Sequence, residues 1–267
     1  ENVDDAIAHE YGFFLEQATK LCVINSDDPR IMHEVERTSA KVSNVTERDL
    51  QSYSVSTSST EFEIYGARYT LPYLLPKDAF RAIAASAAIA QYFGIQPTND
   101  LSHFTQPPGR SSLFRGIKGT TIIDSSYNAN TGSVDAILQM VAKLDGTKWL
   151  IFGDMTEQGG FEAEEHVKVA RLIAASGFAR VLLVGPRSRK FILPILEESG
   201  VRADSYLNPS EVLHILPNII EGEEVLVFKG ARFLEGIIEG MLADKKDIEK
   251  LCRREAIWQK KRAQWGL

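Results

Sequence analysis

From about residue 109 onward, four short apolar runs, TTIID, KWLIFGD, RVLLVG and EVLVFKG, each precede a segment with helical spacing. Strand followed by helix, repeated, is the grammar of parallel βα units, and it predicts an α/β fold built on a doubly wound, Rossmann-like open sheet. In the first such helix Val134, Ile137, Leu138 and Val141 fall at i, i+3, i+4 and i+7, which places them on one buried face. The functional edge of such a sheet lies at the carboxyl ends of its strands, where the βα loops surround a ligand. The segments that matter are therefore DSSYNANTGS (124–133), GDMTEQG (153–159) and FKGAR (228–232), which ends the last of these runs.

The first half is less regular. LCVIN reads as a strand running into SDDPRIMHEVER, where Asp27 or Asp28 caps a helix and Pro29 suits its first turn. EFEIYGARYTLPYLL reads as two strands joined near Gly66-Ala67, and KDAFRAIAASAAIAQYFG as an alanine-rich helix ending at Gly94. The segment PTNDLSHFTQPPGR has the prolines and polar residues of a domain junction, so the predicted domains are 1–108 and 109–267.

Composition narrows the function classes. A chain of 267 residues with 44% hydrophobic content can bury one large or two modest cores. A formal net charge of -6 argues against bulk attraction to nucleic acid or anionic lipid. Cys22 and Cys252 stand at opposite ends, which excludes a disulfide framework or a cysteine metal cluster and fits a reducing cytoplasm. No apolar stretch nears the roughly 18 residues of a membrane span. The first residue, Glu1, is not Met, so a piece of a longer protein is expected.

Sequence motifs exclude much chemistry. HExxH, G-x-S-x-G, GxGxxG and GxxxxGK[ST] are all absent, so a complete phosphate-loop hydrolase is not encoded in these residues. What remains is a set of polar residues at strand ends. Asp124 can accept hydrogen bonds from ribose hydroxyls, Asn128 and Asn130 offer donors and acceptors, and Ser133 stands where free helix amides favour phosphate. The competing reading is that Asn and Ser merely shape the turn and cap the helix. Asp154 is either a turn acid or a ligand contact. Lys229 and Arg232 can meet a carboxylate or phosphate or can be a solvated helix start, and Arg110 can reach phosphate from the junction. His166 reads as an ordinary surface histidine.

In order, PPGR, TTIIDSSYNANTGS, GDMTEQG, EEH and VFKGAR resemble the C-terminal portion of Mur ligases, and CVINSDDPR and the alanine-rich helix resemble the end of their central domain. The D-x-S-Y-N-A-N run is the most specific item, and it points to the branch of the family that adds D-Ala-D-Ala to a UDP-MurNAc-peptide. The resemblance implies residues 1–108 as part of an α/β ATP-binding central domain lacking its phosphate loop, followed by a complete C-terminal domain. It implies ATP and Mg2+ as cofactors of the complete enzyme, an acyl phosphate attacked by an amine, and peptidoglycan precursor synthesis in the cytoplasm. No covalent enzyme nucleophile is required, and no metal ligand is assigned on these residues. By carry-over, Arg110 approaches the ATP phosphates, while Asp124, Asn128, Asn130 and Ser133 face the nucleotide. Asp154, Lys229, Gly230 and Arg232 are the substrate-side candidates.

The sequence departs from the family pattern at Tyr11, where a carbamoylatable lysine is common, and at Lys77 and Arg81, which replace an H-x-x-x-N pattern. Ser125 stands where relatives often have a second aspartate. The tail ADKKDIEKLCRREAIWQKKRAQWGL places Ile248, Leu251, Cys252, Trp258 and Trp265 on one broad helical face. That face either packs on the domain, the favoured reading, or meets a partner or membrane surface. A non-catalytic nucleotide- or peptide-binding module descended from such a ligase is the alternative to the ligase itself.

Overall fold

Asp28 caps the first short helix of LCVINSDDPR as its chemistry requires: its Oδ1 accepts from the Arg30 amide at 3.0 Å, and Pro29 opens the helix. In this computed structural model, which describes residues 3–267, α1 (Val3–Gln17) precedes β1 (Leu21–Asn25), α2 (Pro29–Glu34) and β2 (Lys41–Val45). β1 and β2 pair in parallel, and α3 (Phe80–Tyr92) packs against them with Ala84 and Ala87 buried. β3 (Leu50–Val55), β4 (Thr60–Ile64) and β5 (Ala67–Leu71) form a separate sheet in that order. The turn between β4 and β5 is Tyr65-Gly66, both with positive φ (52° and 75°), the geometry a two-residue hairpin needs. A tyrosine there carries no turn signature, which is why the sequence marks the hairpin only weakly.

The chain falls into two compact units. The first comprises residues up to Ser54, Thr60–Pro72 and Lys77–Phe104; the second comprises Val55–Ser59, Tyr73–Pro76 and Thr105–Leu267.

The second unit is the expected open sheet. Its strands are β6 (Ser112–Arg115), β7 (Thr121–Ser125), β8 (Lys148–Gly153), β9 (Arg180–Val184), β10 (Ala203–Tyr206) and β11 (Val225–Lys229). Their spatial order is β10-β9-β8-β11-β7-β6, parallel throughout except for the antiparallel edge strand β6. The connecting helices are α4 (Thr131–Ala142), α5 (Glu162–Ala175), α6 (Leu193–Glu198), α7 (Pro209–Ile219) and α8 (Leu234–Met241).

Alternation along each strand divides the core in two. Ile123, Leu150, Phe152, Leu183 and Val227 pack with α4, α5 and α6 on one face. Ile122, Ile151, Leu182, Leu226 and Phe228 pack with α7 and α8 on the other. The predicted stripe of Val134, Ile137, Leu138 and Val141 is buried on the first face. Because α4 follows β7 and α8 follows β11, the loops leaving these two neighbouring strands part to opposite faces. Such a switch point opens a crevice at the carboxyl ends of the strands.

The tail is not one helix. A 3-10 turn over Lys245–Lys250 leads into a stretch broken by Arg253 at φ 58°, and only α9 (Ala256–Ala263) is α-helical. A left-handed residue cannot continue a right-handed helix, so the expected continuous apolar face is cut at that point. Leu251 and Cys252 are nevertheless buried, and Arg254 and Arg262 turn inward to Glu239.

Candidate functional site: a cationic crevice between the β7 and β11 loops

Lys229, the last residue of β11, stands in register with Ser125, the last of β7. Its ammonium donates to the carbonyl oxygen of Asn128 at 2.6 Å, although the residue is only 4% exposed. Burial pushes its amine down to about 8, with the positive charge of Arg110 contributing. Arg110 is exposed and lies over the Tyr127 ring, 4.5 Å from its centroid. Arg110, Lys229, Ser125, Tyr127, Asn128 and Ser133 together line a cavity of about 250 Å³. Two cationic side chains around one cavity, one of them buried, make a crevice whose electrostatics improve when an anion enters.

The other members of the β7 loop hold that shape. Asp124 is fully buried, and its Oδ1 accepts from the Ser126 amide (3.0 Å) and hydroxyl (2.6 Å). Burial raises its carboxyl above the usual range, while the Ser126 hydrogen bonds and the charges of Arg253 and Arg254 oppose the shift. Asn130 is the N-cap of α4: its Oδ1 accepts from the Ser133 amide at 2.8 Å, and its own amide donates to Ser133 Oγ at 3.1 Å. The capping role is thus realised in both residues. Asn128 Oδ1 accepts from the Ala129 amide at 2.7 Å.

A second cluster lies after β8. Asp154 is fully buried, accepts from Arg232 at 2.7 and 2.9 Å and from the Ser188 amide at 2.8 Å, and has Arg187 at 3.8 Å. Arg187 also pairs with Glu162. Lys229 and Arg232 therefore serve different cavities, although they are three residues apart. Arg232 lines a cavity of about 510 Å³ with Tyr127, Asn128, Thr156, Arg253 and Trp258. Gly230, at φ 114°, separates the two; a Cβ there would overlap the Gly153 carbonyl group. Strands β8 and β11 can end this close together only because both positions are glycine.

His166 is not on the surface. It is fully buried; its Nε2 accepts from the Met155 amide at 3.2 Å, and its Nδ1 lies 2.7 Å from the Glu162 carbonyl oxygen. These partners require the neutral ring with the proton on Nδ1. Helical spacing carried the signal, because His166, Val169, Ala170 and Ile173 fall at i, i+3, i+4 and i+7 of α5 and are all buried. Sequence reasoning assigned no site role to Tyr127, Arg187, Arg253 or Trp258. Tyr127 sits inside the most specific motif and was the one of these with a signal.

In the first unit, Arg81 Nη1 bridges Asp27 (2.8 Å) and Asn25 (3.1 Å), and its guanidinium holds the Asp27 carboxyl below the usual range. Lys77 pairs with Glu47. Tyr11 is 58% exposed beside Phe14.

Fold and crevice together define a doubly wound α/β domain with a cationic crevice at its topological switch point. Residues 109–232 match the family model for the Mur ligase, glutamate ligase domain, and this part of the chain belongs to the Mur ligases. The chain is 31% identical over 186 residues to the UDP-N-acetylmuramoyl-tripeptide–D-alanyl-D-alanine ligase of Escherichia coli (strain K12), covering 67% of this chain and 40% of that protein. Its counterpart in Bacillus subtilis (strain 168) is 30% identical over 203 residues, covering 72% and 44%. The chain thus spans less than half the length of these relatives. The crystal structure of MurF ligase from Thermotoga maritima in complex with ADP superposes with a TM-score of 0.69 at 21% identity, over 88% of this chain and 55% of that one. At that identity the likeness speaks for the fold.

Proposed function

We propose that this chain supplies the nucleotide- and amine-facing part of an ATP-dependent ligase of peptidoglycan precursor synthesis. The complete enzyme would join D-Ala-D-Ala, or a similar amino acid or dipeptide, to a UDP-MurNAc-peptide through an acyl phosphate. The observation that carries this reading is the convergence of Arg110 and Lys229 on one cavity at the switch point of a Mur ligase domain. Phosphoryl transfer asks a protein mainly for positioning and charge stabilisation. Arg110 and Lys229 would neutralise phosphate oxygens, and Asn128 and Tyr127 would form the wall beside the nucleotide.

Asp124, Asn130 and Ser133 would act by holding the loop and the start of α4 in place for that contact. Arg232, oriented by Asp154, would face the amine substrate in the larger cavity, with Gly230 keeping the two cavities adjacent. ATP would supply the phosphoryl group that activates the acceptor carboxylate. Among the described residues no group of three or more His, Cys, Asp or Glu side chains could hold a metal ion. No helix among the described residues is long and apolar enough to cross a membrane.

The test is phosphate release by the complete gene product in the presence of ATP, UDP-MurNAc-tripeptide and D-Ala-D-Ala. Release that requires both substrates is expected. ATP binding without turnover would favour a non-catalytic module, and indifference to either substrate would overturn the specific ligase reading.

A further inference from the structure

Three consecutive main-chain carbonyls of the loop after β7 each accept from a cationic side chain of another element. Asn128 O accepts from Lys229 at 2.6 Å, Tyr127 O from Arg253 Nη2 at 2.6 Å, and Ser126 O from Arg253 Nη1 at 3.3 Å. Lys229 lies within the segment that matches the family model; Arg253 lies beyond it, in the tail.

Everything around Arg253 keeps it in place. Its backbone adopts φ 58°, a conformation that a side chain of this size holds only when its surroundings demand it. Glu235, fully buried, pairs with it at 3.1 Å, and a buried carboxylate needs such a partner. The Tyr127 and Trp258 rings each lie 5.6 Å from the guanidinium. On its N-terminal side Leu251 is buried in the core and Cys252 Sγ lies 3.9 Å from Ser126 Oγ. Arg110, in turn, rests on the ring of Tyr127, the residue whose main-chain carbonyl oxygen accepts from Arg253.

We infer that Arg253 is a positioning residue: through the Ser126 and Tyr127 carbonyls it fixes where Asn128, the Tyr127 ring and the overlying Arg110 stand. The tail is then part of the candidate site, not an appendage packed behind it. Arg254 provides the contrast, because its side-chain hydrogen bonds go to Glu239 and the Cys252 carbonyl oxygen and not to the loop carbonyls. Only the kinetic arm of the following test rests on the proposed ligase reading.

Hydrogen exchange of the 267-residue chain compares Arg253→Ala, Arg253→Lys and Arg254→Ala. Displacing a site loop by about an ångström is enough for large functional effects. Arg253→Ala should speed exchange of the 126–129 amides by about tenfold or more while β8 and β9 stay protected. Arg253→Lys, one donor centre in place of a fork, should give an intermediate rate and decides the matter if the alanine variant fails to fold. Arg254→Ala should leave those amides unchanged. In the complete ligase, Arg253→Ala should raise the KM for ATP by about tenfold with a smaller change in kcat, and Arg253→Lys should recover part of it. Unchanged loop exchange, equal loosening by Arg254→Ala, or an unchanged KM would overturn the inference. A wild-type enzyme without ATP turnover would overturn the ligase reading instead, and the exchange comparison would still decide the role of Arg253.

Discussion

The Lys229 ammonium and the Asn128 carbonyl oxygen, 2.6 Å apart, tie the end of the central strand β11 to the loop after β7. Lys229→Met removes that bond and half of the cationic pair while keeping the apolar stem. The variant should fold, and its affinity for ATP should fall by about tenfold to a hundredfold, the range of a lost charged hydrogen bond. Isothermal titration with ATP checks this, and Lys229→Arg should retain more of the affinity than Lys229→Met.

Lys229 also sets a pH dependence. Its amine titrates near 8 in the folded protein against an ordinary 10.5, so the unfolded chain holds the proton more tightly. Between these values the unfolded state binds more protons, and stability contributed by this group rises with pH. Below about pH 8 the buried charge costs stability in full. Urea midpoints at pH 7.5 and 9.5 should therefore move apart less in Lys229→Met than in the parent. Anion binding should weaken as pH rises through 8, because the ammonium is lost.

Gly230→Ala should be severely destabilising, by about 3 kcal/mol or more, since it combines a disfavoured φ of 114° with overlap on the Gly153 carbonyl group. Thermal unfolding would show the loss. Gly66→Ala, with positive φ but open space around its Cβ, should cost only about 1 kcal/mol and serves as the control.

Asp154→Ala strands Arg232 and the Ser188 amide at once. A loss of about 3–5 kcal/mol is expected, the cost of breaking a buried pair from one side. Asp154→Asn keeps an acceptor for Ser188 and should lose less, as denaturant titration of the two variants would show.

The sheet was legible because its strands are apolar runs punctuated by helices with a 3.6-residue stripe, and both signals are local. β10, with the sequence ADSY, has no such run, and β6 is short and half exposed; both exist because a neighbouring strand offers an edge. Of the loop candidates, Asn128 and Ser133 line the crevice, whereas Asp124 is fully buried and Asn130 caps α4. Lys229 and Arg232 sit in one pentapeptide, and only the turn at Gly230 sends them to different cavities. Arg253 left no trace in sequence, because its role depends on a left-handed backbone and on carbonyls more than a hundred positions away.

β11 is the last strand of this sheet in sequence and lies between β8 and β7. While the chain is being synthesised, those two strands have emerged with no one to stand between them. Each then presents an unsatisfied backbone edge, the kind of surface on which chains misassemble. The sheet can close only after Lys229 has left the ribosome, so its centre is the last part to be built and its assembly relies on contacts distant in sequence.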